Sequence, residues 1–408
     1  MDASRSHGPD PMPAAVCALG IAQITAWGTS YYCLGVLAEP IARDTGWSGG
    51  MVYAGFTVAL LAMAAVSTWV GRLIDRRGAR GVMAIGTIAT SAGLLALSFA
   101  RSEAAWLAAW AFLGAAMRLS LYDAAFTAIV QVAPSRGRLA ISLLTLFGAF
   151  ASTVFWPLGH YLNEALGWRQ TLAAFAAINL AVCLPLNWFG LARREAAGLA
   201  VPPAEHERAA REGPPLAAGA RAPAIALFAL VMSLNGFVFG VSTVQLVPLL
   251  EAAGLATAAA VWVASLKGFA QFGGRVAEIF FGSRLRALSV GRIAIAVLPA
   301  SFALLLLSGG GFAAVLAFTL LMGASQGVVT IVRGAVPLAL FGAQGYGAVL
   351  GLIAAPVVVV NAAAPALFAM IVERWGWQAA EVVLLAASAG SCLAMELMAR
   401  WVARQERR

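Results

Sequence analysis

The chain has 408 residues, 61% of them hydrophobic and only 11% charged, with a net charge of +9, an isoelectric point of about 10.1 and a mean hydropathy of +0.85. Soluble domains carry about 25% charged residues, so a water-soluble globular protein is excluded and the bilayer is the consistent solvent. The basic charge does not call for a nucleic-acid partner, because the arginines follow the sides of a membrane plan.

In chain order, residues 1–13 are polar, rich in Pro and Ser, and lack a basic segment joined to a cleavage site; they read as a cytoplasmic tail. Twelve stretches of about 20 mainly apolar residues follow. The first six lie near 14–38, 49–70, 81–100, 104–130, 139–162 and 170–190, and the second six near 223–250, 257–281, 289–308, 312–340, 346–370 and 378–399. The expected organisation is a six-helix bundle over 14–190, a Pro- and charge-rich linker over 191–222, a second bundle over 223–400 and a tail over 401–408. A short amphipathic helix around Ala204–Arg211 fits the linker's charge pattern. The four cysteines, Cys17, Cys33, Cys183 and Cys392, sit in apolar stretches without metal-type spacing and are expected as free thiols.

With the N-terminus inside, 20 arginines fall in inner tails and loops and only Arg43, Arg101, Arg169 and Arg374 in outer ones. This asymmetry predicts both termini cytoplasmic. Arg275 belongs to the inner group on this count. Arg118, Lys267 and Arg333 remain within spans. The halves echo one another: Gly71-Arg72 with Asp75 matches Gly274-Arg275 with Glu278, and Glu164 to Trp168 matches Glu373 to Trp377. Two related halves with a site between them at the membrane midplane is a transporter plan.

Between the second and third spans runs Gly71-Arg72-Leu73-Ile74-Asp75-Arg76-Arg77-Gly78-Ala79-Arg80. It resembles the signature loop of the major facilitator superfamily. That resemblance implies an all-α integral membrane fold of twelve transmembrane helices in two pseudo-symmetric six-helix bundles. It also implies that Gly71, Arg72, Asp75, Arg76 and Gly78 form a cytoplasmic loop in which Asp75 latches helix ends in the outward-facing state. Asp44-Thr45-Gly46-Trp47-Ser48 is similar to the Gly-Trp-Ser segment of the monocarboxylate and oxalate–formate branch, and the basic residue midway down the eighth span, here Lys267, resembles that branch's carboxylate contact. Phe155-Trp156-Pro157-Leu158-Gly159 lacks the Gly-Pro of drug–proton antiporters.

Lys267 is the only lysine. An ammonium at mid-bilayer costs about 2.5–3.5 kcal/mol on insertion scales, so it points to a function rather than to packing. Lys267, Gln271, Gly274 and Glu278 form one line along a helix, as do Gln326, Thr330, Arg333 and Pro337. Gln23, Trp27, Ser30 and Tyr31 mark a face on the first span, and Asn235, Phe239 and Ser242 one on the seventh. In the family, spans 1, 4, 7 and 10 line the central cavity. Any of these polar groups can also serve helix packing at about 0.6 kcal/mol each.

On an unbroken helix Arg118 and Asp123 point about 140° apart, so Asp123 is expected to find its partner on another helix, and the repeat offset nominates Arg333. The pair is expected to help close the inner side; Asp123 as a proton carrier is the other reading. Three buried cations against one buried anion favour an anionic guest. The expected substrate contacts are Lys267, Arg118, Tyr31, Tyr122, Gln271, Gln326 and Asn235, with Lys267 also able to carry a proton.

No nucleotide-binding loop, zincin helix or nucleophile elbow occurs. The expectation is therefore a secondary transporter and not an enzyme. It is expected to need no cofactor, to carry a small organic anion by alternating access with proton coupling, and to be a monomer in a bacterial-type inner membrane. Efflux of drugs or metabolites is the alternative within the class, and a non-transporting membrane sensor the alternative outside it.

Overall fold

The computed structural model describes residues 10–195, 207 and 210–407. Most of the tail 1–13, Arg5, His7, His206, Arg208, Arg408 and most of the expected helix around 204–211 lie outside the described residues. All described elements are helical.

The first half comprises α1 (Pro11–Ala26), α2 (Leu34–Thr45), α3 (Gly49–Arg77), α4 (Ala79–Phe99), α5 (Glu103–Ser120), α6 (Tyr122–Val132), α7 (Gly137–Gly148), α8 (Ala151–Leu166), α9 (Trp168–Ile178) and α10 (Leu184–Gly190). The second comprises α11 (Ala218–Val244), α12 (Leu246–Ala252), α13 (Thr257–Phe281), α14 (Ala287–Leu307), α15 (Phe312–Phe341) and α16 (Tyr346–Glu406). Local chemistry sets the ends. Ser48 and Ser102 accept from backbone N–H groups of the first turns of α3 and α5. Gly46 and Gly78 close α2 and α3 at φ 73° and 80°, a region open to glycine.

Among the described residues, ten stretches, from Pro11–Thr45 to Tyr346–Glu406, are long and apolar enough to cross a membrane. The chain is thus a multi-pass membrane protein. Two of the expected crossings are not separate members of that set. The 25-residue α13 contains Lys267, Arg275 and Glu278, and α16 runs for 61 residues through Gly376, where φ is 79°.

Three apolar cores organise the packing. One joins both halves at the end bearing Arg72–Arg80, uniting Ile74, Phe126 and Ile141 with Leu340, Tyr346 and Met398. At the other end the halves keep largely separate cores: one around Trp106, Trp110 and Phe175, the other around Phe302, Phe318 and Phe368.

Three helices break where they meet the middle of the molecule. Between α1 and α2 the backbone widens into a π turn at Trp27–Tyr31. Leu121, in extended conformation at φ −84° and ψ −168°, separates α5 from α6. The third break lies between Gly148 and Ala151. Irregular backbone at membrane depth is tolerated where it is buried in protein or borders a cavity.

Candidate functional site

These breaks border a cavity of about 180 Å³ between the two halves. Its wall takes Trp27, Tyr31 and Tyr32 from the first crossing, Arg118, Tyr122 and Asp123 from the fourth, Asn235 and Phe239 from α11, and Gln326, Thr330 and Arg333 from α15. Gln271 and Arg275 add α13 to the wall.

The charges are unevenly shared. Asp123 pairs with both Arg118 and Arg333. The link to Arg333 crosses from one half to the other. The link to Arg118 departs from the straight-helix expectation, because the break at Leu121 removes the rotation that would set the two apart and turns Asp123 back to its neighbour. Arg118 and Asp123 are 4% and 7% exposed and Arg333 is 26% exposed, so the trio carries a net positive charge of which only the Arg333 end meets solvent.

Arg275 is the cavity cation that the charge count had placed in an inner loop. The count set Arg275 with the inner arginines although the expected span 257–281 contains it; α13 runs to Phe281 and holds Arg275 inside the helix, nearly two turns from its end. The residue is 6% exposed. Its Nη1 donates to the Thr145 carbonyl of the other half at 2.7 Å, and it has no ion pair among the described residues.

Lys267 does not border the cavity, contrary to the expectation that it contacts the guest there. It stands one turn beyond Gln271, away from the Arg72–Arg80 end. Its Nζ donates to the Ser242 hydroxyl at 2.8 Å and the Ser242 carbonyl at 3.3 Å and lies 5.6 Å from the Phe239 ring centroid. Gln326 donates to the same hydroxyl at 3.2 Å. Asn235 borders the cavity, yet its amide nitrogen donates to Ser391 Oγ and the Val231 carbonyl, which is helix packing. Gln271 lies 3.5 Å from Gln326 in a weak contact. Tyr31 and Tyr122 face Trp27 at ring-centroid distances of 4.8 and 5.1 Å.

At the joined end Asp75 accepts from the backbone N–H groups of Gly347 and Ala348 at 2.9 and 2.8 Å. These are orphan donors in the first turn of α16, where the helix dipole also favours a carboxylate. Gly71 allows this contact: a Cβ there would run into the Gly347 carbonyl. Gly78 ends α3, and the next N–H, of Ala79, donates to Gln131 Oε1 at 2.9 Å. Arg72 and Arg76 are exposed and make no ion pair among the described residues. Glu278, the repeat equivalent of Asp75, accepts from Arg138 at 3.0 Å and Ser142 at 2.8 Å across the halves. Nearby, Arg136 donates to Asp10 at 2.7 and 2.5 Å and holds its carboxyl below the usual carboxylate range.

Residues 19–308 match the family described as Major Facilitator Superfamily. The chain belongs to the Major Facilitator Superfamily. This superfamily member is similar in fold to the human organic anion transporter MFSD10 (TETRAN), with a TM-score of 0.71, 16% identity and coverage of 95% of this chain and 100% of that one. FucP in the outward conformation gives a TM-score of 0.68 at 14% identity, covering 93% and 98%. At these identities the likeness is one of fold.

In sequence it is 29% identical over 156 residues to an uncharacterized 38 kDa protein in the 23S RNA operon of Thermoproteus tenax, which covers 38% of this chain and 41% of that protein. It is 28% identical over 146 residues to the purine ribonucleoside efflux pump NepI of Escherichia coli, covering 35% and 36%. The chain therefore spans about two fifths of the length of these curated relatives.

Proposed function

We propose that this transporter carries a small organic anion, a carboxylate, by alternating access with proton coupling. The observation that carries the reading is the charge on the cavity wall: Arg118, Arg275 and Arg333 against the single carboxylate of Asp123. A desolvated cavity with that surplus draws an anion and repels a cation. Arginine also grips a carboxylate with two parallel bonds.

The same reading includes twelve crossings, with α13 as the eighth and α16 divided at Gly376 into the last two. It includes bundles over 14–190 and 223–400 with a linker over 191–222, both termini cytoplasmic, and a monomer in a bacterial-type inner membrane. The Gly46-Trp47-Ser48 resemblance keeps the monocarboxylate branch as the nearest substrate class. The shared core and the Asp75 and Glu278 contacts at one end support an outward-facing state, with Asp123, Arg333, Gly71, Arg72, Asp75, Arg76 and Gly78 as its gating set.

Uptake of radiolabelled carboxylates into proteoliposomes containing only this protein tests the function. A several-fold excess over protein-free vesicles is expected under an inside-alkaline pH gradient, with collapse on adding a protonophore. The match to NepI favours a second reading, efflux of a neutral metabolite. Flux of nucleosides in preference to carboxylates sinks the anion proposal, and absence of any flux leaves only a sensor.

A further inference from the structure

The cavity wall has two chemically different sides, and together they specify more than negative charge. Trp27 lies at the centre of an aromatic cluster, 4.8 Å from Tyr31, 5.1 Å from Tyr122 and 6.0 Å from Tyr32, with interplanar angles of 54°, 50° and 37°. All four rings border the cavity. Such tilted faces and edges are the surfaces against which another ring packs favourably.

The other side is Arg275. Arg118 and Arg333 share Asp123, whereas Arg275 has only a carbonyl. Its Nη1 is engaged by Thr145, while its buried Nε has no hydrogen-bond partner. The Nε of the guanidinium edge that takes a carboxylate side-on is therefore enclosed and unsatisfied. The Tyr122 hydroxyl is also buried without a partner; it lies against Gly148, where a Cβ would collide with it. Arg275 Nε and the Tyr122 hydroxyl are thus donors without a hydrogen-bond partner on the wall of one cavity, where Arg118 Nε and the acceptor Asp123 Oδ1 are likewise unpartnered.

Size limits the guest. The cavity measures about 180 Å³, a little above the roughly 150 Å³ that encloses one benzene and below the roughly 300 Å³ at which drug-sized pockets begin. One ring with one carboxylate fits within that volume.

We infer that the substrate is a single-ring aromatic carboxylate, its ring against the Trp27–Tyr31–Tyr122 wall and its carboxylate on Arg275 with the Tyr122 hydroxyl as a second donor. This rests on the anion reading proposed above. It makes Arg275, not Lys267, the anchoring residue within the cavity. It also ties the guest to the joint between the halves, because the same guanidinium holds the Thr145 carbonyl of the other half through Nη1.

Binding of radiolabelled benzoate to the full-length protein in detergent tests the assignment, with benzoate, cyclohexanecarboxylate, acetate, benzamide and inosine as competitors. Benzoate should compete best. Cyclohexanecarboxylate, an anion of similar size without a π face, should be weaker by about fivefold, and neutral benzamide by about tenfold or more. Trp27→Leu should erase the preference for benzoate over cyclohexanecarboxylate while keeping that for benzoate over benzamide. Arg275→Gln should do the reverse, and Arg275→Lys should recover part of the charge preference, which a merely misfolded variant cannot do. Equal competition by cyclohexanecarboxylate and benzoate overturns the aromatic assignment and leaves the carboxylate reading intact. Equal competition by benzamide and benzoate overturns both, as does absence of saturable benzoate binding. Benzoate binding with these preferences but no flux in proteoliposomes supports the assignment and removes the transport reading instead.

Discussion

Asp123 shows how one side chain can hold a whole site in balance. It is the carboxylate shared by Arg118 and Arg333, so its loss strands two guanidiniums, whereas loss of Arg118 leaves Asp123 still paired. Breaking a buried ion pair costs about 3–5 kcal/mol. Asp123→Asn is therefore expected to lower the melting temperature in detergent much more than Arg118→Gln, and equal losses would show that Arg333 does not neutralise Asp123. The double exchange Asp123→Arg with Arg333→Asp should not restore function, since the introduced guanidinium faces Arg118. Lys267 makes a separate prediction. It stands at the side of the cavity away from the joined end, held by Ser242 and with no carboxylate partner among the described residues. Lys267→Gln removes a group able to carry the coupling proton and is expected to cut uptake driven by the pH gradient several-fold without disturbing the cavity wall. Unchanged uptake would remove Lys267 from the mechanism.

Among the elements, the packing of α3 against the start of α16 decides whether this end stays shut. The contact depends on a glycine facing a backbone carbonyl, which cannot move aside as a side chain can. Gly71→Val is expected to force the two helices apart and to raise maleimide labelling of a Thr127→Cys reporter, made in a background without the native cysteines, by about tenfold or more; Thr127 is 2% exposed and borders this contact. Asp75→Asn keeps one acceptor and loses the charge opposite the α16 dipole, a change of about 0.3–1 kcal/mol and up to about 2 in buried settings. Its labelling should rise, but less than for Gly71→Val, and the opposite ranking would mean that charge and not close approach holds the end together. The breaks at Trp27–Tyr31, Leu121 and Gly148 belong to this scale too. Each interrupts a regular helix at the cavity, and the break at Leu121 explains why Arg118 and Asp123 meet despite a spacing that separates them on an unbroken helix.

Across the whole molecule, the joined end gathers the start of α1, the turn before α7 and the segment after α10. Arg136 bonds Asp10 and Glu195 there. Because the Asp10 carboxyl is held below its ordinary range by the Arg136 hydrogen bonds, its contribution to stability is complete above the unfolded value, about 3.9, and disappears as pH falls through the lower folded value. The difference in melting temperature between the native protein and Asp10→Asn should thus be constant from about pH 5 upward and shrink below about pH 4. A difference that grows on acidification would contradict the pairing.

The all-helical membrane fold and the superfamily were legible in the chain because apolar length, arginine asymmetry and the Gly71–Arg80 loop are properties of neighbouring residues. Solvent alone dictates them: a bilayer demands long apolar helices and sorts arginines to one side. The cavity was only half legible. The polar faces of α1, α11 and α15 could be read from helical spacing, but Arg275 was hidden by its nearness to a helix end and Lys267 was credited with a place on the wall that it does not occupy. The charge balance, the Leu121 break, the unsatisfied Nε of Arg275 and the aromatic wall around Trp27 arise from contacts between residues far apart in the chain. Helical periodicity describes the face of one helix, whereas a binding site is made where several faces converge, and that convergence depends on packing across the two halves.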